Sequence, residues 1–426
     1  MITTILCWIA RINVVMSILA HVRMPAPVGQ LFMFDMLGRL GSMIGEEITF
    51  MATLMFATSV LSGEIYDESW TPHLLLISAL LEYWWKHRFD MSSMERSFLK
   101  AGLELRKRGN LKVRAEDARK YLPLPLPSRL APLIAPRSSL RRVADVPTTR
   151  MSVDVWYDPE SESPLGKGKA KPVFLYYHGG AWLFGSKRFN HCAILFWLLA
   201  RQGFVVVSAR YRFARFRDHH TWSEIFDDAL SALEWTVSAK NDVLQDAGAA
   251  TGNKLKLFTS GSSAGAHICA SVLSHALSHP SKYNTSTFQG TVLFYPPLDI
   301  KNISNTQLEF PLTFKPLKLR RGQSLMLWFW EIFLRPSEKD KTSWSPYETM
   351  QPEKLPPMLI LHGTMDSVVG METVKAYFEK LTSRRKRRHD DVLILLEGGR
   401  HAFDYMLNDV TFVAANGISA WLHRNL

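Results

Sequence analysis

Four short clusters in this chain hold the residue types that acyl-transfer chemistry uses. Gly261-Ser262-Ser263-Ala264-Gly265 reads G-x-S-x-G. Its central Ser263 is the candidate nucleophile, lifted on a sharp turn whose flanking glycines remove side-chain clashes. Ala264 would offer a backbone N–H to an oxyanion at a helix N-terminus, and Ser262 would support the turn. His178-Gly179-Gly180-Ala181-Trp182 has two consecutive glycines, whose N–H groups can face a pocket with no Cβ in the way. A carbonyl oxygen that becomes negative during acyl transfer needs about two or three such donors. His178 is read as ordering that loop rather than as a base. A serine needs a base, and the base needs an orienting acid. His362-Gly363-Thr364-Met365-Asp366 holds Asp366, and Arg400-His401-Ala402-Phe403 holds His401. The chain order Ser263, Asp366, His401 is the one expected of such a triad on an α/β sheet.

These clusters need a scaffold, and the chain supplies one from about residue 140. Six β-rich apolar runs alternate with helix-length segments: Val173–Tyr177, Phe204–Ser208, Leu255–Thr259, Thr291–Tyr295, Met358–Leu361 and Val392–Leu396. Runs apolar on both faces and separated by long crossovers imply an α/β fold, mainly parallel in its sheet and flanked by helices. Residues 222–238 place Ile225, Phe226, Ala229, Ala232, Leu233 and Val237 at helical spacing. Functional groups in such sheets gather at the carboxyl ends of strands, and all four clusters follow an apolar run.

The chain has 426 residues, 47% of them hydrophobic and 21% charged, which excludes global disorder. Cys7, Cys192 and Cys269 form no C-x-x-C pair, so a zinc ribbon or disulfide-dense scaffold is excluded. The net charge of +12 is uneven: residues 1–90 carry −3 and residues 91–150 carry +9. An apolar stretch followed by a basic one reads as membrane-proximal rather than as a nucleic-acid groove. Residues 1–22, Ile48 to Leu61 and Leu74 to Trp85 are apolar, but Arg11 interrupts the first run and the others are short for a span. Residues 121–137 are proline-rich, a linker or wrapping segment. The expected division is an N-terminal extension over 1–139, with possible anchor and cap, and a catalytic domain over 140–426.

Other features have plainer readings. Arg384–Arg388 is read as a solvated loop before the strand at Val392, and no aromatic interleaving supports nucleic-acid binding. Asn284 and Asn302 begin N-x-S/T triplets that occur often by chance. His178, His191, His219 and His220 lack a metal-ligand spacing, and acyl-serine chemistry requires no metal or other cofactor. Residues 300–356, with Leu325–Trp330 and Phe333, are expected to line or cover an apolar acyl pocket.

Taken together, HGGAW, GSSAG, the Asp of HGTMD and the His of RHAF resemble the α/β-hydrolase superfamily, in its hormone-sensitive-lipase-like carboxylesterase branch. The resemblance covers about residues 140–426. Ser208–Ala214 is also similar to that branch's Tyr-Arg-Leu-Ala-Pro element, with Arg215 where the proline would stand. The likeness implies catalytic Ser263, Asp366 and His401, and oxyanion donors from Gly179, Gly180 and Ala264. The apolar extension is similar to membrane-bound arylacetamide and steryl-acetate deacetylases, which act in the endoplasmic reticulum; a cytoplasmic location is the second choice. The implied function is hydrolysis of short acyl esters of a hydrophobic alcohol. Most members of the branch read HGGG where this chain reads HGGA. The HGGxW form also resembles kynurenine formamidases and isoprenylcysteine methylesterases, so amide hydrolysis is the alternative. A hydrolase fold serving only as a binding protein is a third reading. The expected partners are a small hydrophobic ester and a membrane surface, with no nucleic acid.

Overall fold

Val173, Phe174, Leu175, Tyr176 and Tyr177 are apolar without alternation, the pattern of a strand covered on both faces, and all five are buried. In the computed structural model they form the middle of an eight-stranded sheet. The structure describes residues 91–100, 126–127, 140–187, 193–214, 220–300, 345–364, 366, 368–385, 390–396, 401–404, 406–407 and 409–426. The strands are β1 (Arg141–Pro147), β2 (Ser152–Tyr157), β3 (Val173–Tyr177), β4 (Val205–Ala209), β5 (Leu257–Ser262), β6 (Phe288–Phe294), β7 (Met358–Gly363) and β8 (Val392–Leu396). Their order is β1-β2-β4-β3-β5-β6-β7-β8. The pairs from β4 onward are parallel, whereas β1–β2 and β2–β4 are antiparallel.

The six apolar runs are the six parallel strands. Sequence pattern did not reveal β1 and β2, and for β1 the composition shows why. Six of the seven β1 residues are exposed, and the strand carries Arg141, Arg142 and Pro147. Charge and proline are what protect a sheet edge from pairing with another chain, and they erase the apolar signature.

The principal helices are α1 (Met91–Lys100), α2 (Ala193–Arg201), α3 (Trp222–Val237), α4 (Ala264–Ser278), α5 (Met371–Ser383) and α6 (Asp409–Arg424). Alternating strand side chains divide the core in two. Val173, Leu175 and Tyr177 share one cluster with Ile225, Leu233, Ile268 and Val374 of α3, α4 and α5. Phe174 and Tyr176 share the other with Leu199, Ile418 and Trp421 of α2 and α6. Helix α3 starts at a capping box: the Thr221 hydroxyl accepts from the Glu224 amide while Glu224 accepts from the Thr221 amide. This reciprocal pair satisfies two amides that a helix start leaves without acceptors.

The basic run departs from its expected solvation at Arg385. That side chain is buried, with its Nε 3.1 Å from Asp391 Oδ2 and a terminal N–H donating to the Pro356 carbonyl at 2.9 Å. The same Asp391 accepts from the Met358 amide, so the pair ties the start of β7 to the start of β8. Lys386–Arg388 lie outside the described residues, as do residues 1–90, Cys192, His191, His219, Asn302, the apolar stretch Leu325–Phe333 and the expected 139/140 boundary. Among the described residues, no helix is long and apolar enough to cross a membrane.

Helix α1 contributes Phe98, fully buried in the second cluster. Its ring lies over Gly417 of α6, where a Cβ would stand 2.5 Å from Phe98 Cε1. A mid-helix glycine costs about 1 kcal/mol relative to alanine, and here it makes room for that ring. Phe98→Ala is expected to lower unfolding free energy by about 3–5 kcal/mol, read as a drop in the urea midpoint at constant slope. Leu99→Ala, at a position 54% exposed, should change it by about 0.5 kcal/mol or less.

Candidate active site

The sheet order reverses direction at β3, which has β4 on one side and β5 on the other. Loops leaving neighbouring strands there diverge and open a crevice at the carboxyl ends. The loop after β3 begins at His178, and β5 runs directly into Ser263. Ser263 has φ 51° and ψ −121°, outside the regions an L-residue favours. Such a conformation costs about 1–3 kcal/mol and persists only where the surroundings hold it. The Ser263 amide donates to the Phe294 carbonyl at 2.9 Å, and its carbonyl accepts from Ala266 and His267.

Both glycines of the motif are required by neighbouring backbone. A Cβ on Gly261 would stand 2.3 Å from the Gly265 carbonyl oxygen. A Cβ on Gly265 would stand 2.1 Å from the Tyr177 carbonyl oxygen and 2.3 Å from that of His178. The start of α4 is therefore pressed against the end of β3. Ser262 points into the core, where its hydroxyl is 2.7 Å from the Tyr176 hydroxyl.

The structure brings Ser263, His401 and Asp366 together from three separate loops. Ser263 Oγ is 2.8 Å from His401 Nε2, and His401 Nδ1 is 2.8 Å from Asp366 Oδ2. Asp366 follows β7, and its other oxygen, Oδ1, accepts from the Val368 and Val369 amides, each at 2.9 Å. Burial alone would raise the Asp366 carboxyl, but the His401 ring, His362 and the Val369 amide outweigh burial and hold it below its ordinary value. Tyr295 directly follows β6 and is held beside β7. The Tyr295 amide donates to Leu361, and its ring lies edge-on to His401, centroids 4.7 Å apart. The Tyr295 hydroxyl donates to Asp404 at 2.5 Å, pinning the residue three places after His401.

The β3 loop is packed against this turn. A Cβ on Gly179 would lie 3.0 Å from both the carbonyl and hydroxyl oxygens of Ser262 and 3.5 Å from Ser263 Cβ. Gly180 has φ +126°, and a Cβ there would collide with the Phe184 carbonyl at 2.0 Å. Gly180 itself accepts from the Leu183 and Phe184 amides, closing a tight loop. Ala264 opens α4, so its N–H has no intrahelical acceptor. Gly179 and Ala264 thus flank the serine from two elements, with Gly180 following Gly179 in the loop. His178 turns to the loop's own backbone: its Nδ1 is 2.8 Å from the Gly179 carbonyl, and its ring stacks on Tyr211 at 4.3 Å. The Tyr211 hydroxyl donates to the His178 carbonyl at 2.5 Å.

Supporting residues surround these loops. Arg212, next to Tyr211, makes a two-pronged pair with buried Asp228, at 2.7 and 2.8 Å, and so fastens the β4 loop to α3. Tyr295 and Asp404 gave no sequence signal, since neither forms a motif with the other. Among the described residues, no group of three or more His, Cys, Asp or Glu side chains could hold a metal ion.

A model of the α/β-hydrolase fold matches residues 174–404, from β3 to the loop carrying His401. The esterase LipC of Mycobacterium tuberculosis is 26% identical over 279 residues, covering 64% of this chain and 62% of that protein. The arylacetamide deacetylase of Bos taurus is 29% identical over 139 residues, or 32% of each chain. These matches span less than two thirds of either relative's length. Among solved structures, the thermophilic carboxylesterase EstE1, cloned from a metagenomic library, is 22% identical. It superposes with a TM-score of 0.51 over 70% of this chain and 94% of that one, a likeness of fold.

The lowered Asp366 carboxyl has a pH consequence. A carboxyl held low in the folded state stabilises the fold above its unfolded value of about 4. That contribution disappears as pH falls below it, through the lowered folded value. Asp366→Asn should therefore be less stable than the parent at pH 7. The difference should shrink as pH falls below about 4, as measured by urea unfolding at a series of pH values.

Proposed function

We propose that this chain, which belongs to the α/β-hydrolase fold family, is a serine carboxylic ester hydrolase acting on short acyl esters of a hydrophobic alcohol. The observation that carries the reading is the unbroken chain of two 2.8 Å contacts from Ser263 through His401 to Asp366. In this mechanism Ser263 Oγ attacks the ester carbonyl as His401 Nε2 takes its proton. The carbonyl oxygen becomes an oxyanion, received by the amides of Gly179, Gly180 and Ala264. His401 then gives the proton to the departing alkoxide, leaving an acyl-serine. Water attacks the acyl-serine with His401 again as base, and collapse of the second tetrahedral species releases the acid and restores Ser263. Asp366 keeps the imidazole in one tautomer and stabilises its cation.

The likeness to LipC, an esterase, and to arylacetamide deacetylase supports ester hydrolysis. The short acyl group and hydrophobic alcohol come from the resemblance to deacetylases. The same resemblance supports a location at the endoplasmic-reticulum membrane, with the apolar stretches within residues 1–90, ahead of the basic stretch, as the anchor.

Two measurements test this. The first is turnover of aryl esters from acetyl to palmitoyl, a sterol acetate and N-formylkynurenine. Ser263→Ala should cost about 10⁴–10⁶ in rate, with short esters preferred. Preference for the formamide would replace the substrate class, and equal rates for parent and variant would leave a binding protein. The second is fractionation of a chain lacking residues 1–90. It should leave the membrane pellet, and unchanged partition would sink the anchor.

A further inference from the structure

A buried imidazole lies directly beneath the acid of the proposed triad. His362 is on β7, four residues before Asp366, and is fully buried. A polar ring in such a place needs a partner to offset its desolvation. Its Nε2 lies 3.0 Å from the Val369 carbonyl, and since a carbonyl only accepts, Nε2 carries the proton and donates. Nδ1 has no hydrogen-bond partner. The ring's polarity is thus directed at a single backbone atom.

That atom belongs to the peptide chain that presents Asp366. Val369 donates its amide to Asp366 Oδ1, and Val368 does the same. Val369 is therefore gripped at both ends, its carbonyl by His362 and its amide by the carboxylate. Asp366 Oδ2 is left to face His401 Nδ1. His362 Nε2 is also 3.7 Å from Asp366 Oδ2, too long to compete for it as a hydrogen bond. Burial favours the neutral ring, which has one proton to give and gives it to Val369.

We infer that His362 is a positioning residue: through Val369 it fixes the turn from 366 to 369, and so aims the Asp366 carboxylate at His401. The inference rests on the proposed esterase reading for its effect on rate, but its structural part can be read without turnover. An apolar residue of similar size would fill the space and leave the Val369 carbonyl unheld.

The ring geometry supplies its own control. A glutamine can set its side-chain N–H where Nε2 stood, whereas an asparagine reaches only to the position of Nδ1. Parent, His362→Gln, His362→Asn and His362→Leu are compared on a short-chain aryl ester, with Ser263→Ala as the blank. The asparagine and leucine variants should lose about 10- to 100-fold in kcat, as for a misplaced catalytic group, with KM within about twofold. The glutamine variant should recover most of the kcat. Proton NMR of the same proteins should show a far-downfield His401 Nδ1–H signal in the parent and the glutamine variant. It should be weakened or lost in the asparagine and leucine variants, and absent in His401→Ala.

Equal kcat and an unchanged signal in all three variants would overturn the inference, as would a glutamine variant no better than the asparagine one. A parent no faster than Ser263→Ala would sink the esterase reading alone, and the NMR pattern would still decide the role of His362. Thermal unfolding of each variant separates a folding defect from the effect. If the leucine variant fails to fold, the glutamine–asparagine pair decides.

Discussion

Backbone meets backbone at the centre of this molecule, and the chemistry depends on it. The first turn of α4 lies so close to the end of β3 that a single methyl on Gly265 would overlap two carbonyl oxygens. That contact leaves Ser263 at an unfavourable φ and ψ and holds it there. It also brings the His178–Gly180 loop against the serine, so close that a Cβ on Gly179 would crowd Ser262 at 3.0 Å and touch Ser263 Cβ at 3.5 Å. Candidate nucleophile and candidate oxyanion donors are thus positioned by one packing event. A hydrolase that must stabilise charge as it forms gains from donors already in place, because no reorganisation is needed at the moment of reaction.

Around that contact, the loops after β7, β8 and β3 are held by bonds to backbone and by buried side-chain pairs. The Asp366 turn is closed by two amides on Oδ1 and by His362 on Val369. The His401 loop is held through Asp404 by the hydroxyl of Tyr295, whose ring also faces the imidazole. The β3 loop is held by Tyr211 from the end of β4, and that segment is fastened in turn by Arg212 to Asp228. The β3 and His401 loops are therefore anchored by Tyr211 and Tyr295 from the ends of other strands, and the Asp366 turn by its own amides and by His362 of its own strand. A carboxylate buried this fully would be costly alone, and removing the partner of a buried charge typically costs about 3–5 kcal/mol. The imidazole and the amides around Asp366 are what make its burial tolerable.

The strands that carry the site were legible because parallel strands covered on both faces need continuous apolar runs. The edge strand β1 was not, because that edge is protected by the same arginines and proline that hide it from a hydrophobicity pattern. The basic run read differently in the fold for a related reason. A sequence of arginines looks solvated, yet Arg385 lies where β7 and β8 begin side by side, and Asp391 is there to meet it.

What the sequence determined by itself was local: a nucleophile turn, a diglycine loop, an acid and a histidine after strands, in the chain order of a triad. Those signals survive in one dimension because each needs specific residue types at adjacent positions. The tertiary structure alone decided the distances, 2.8 Å from Ser263 to His401 and 2.8 Å from His401 to Asp366, across sequence separations of 138 and 35 residues. It also decided the supporting roles of Tyr295 and Asp404, which meet from separate loops, and of His362, whose partner Val369 is reached only by the fold of the turn. A hydrogen bond between residues far apart leaves no spacing to read, and only the sheet order that brings strand ends together creates it.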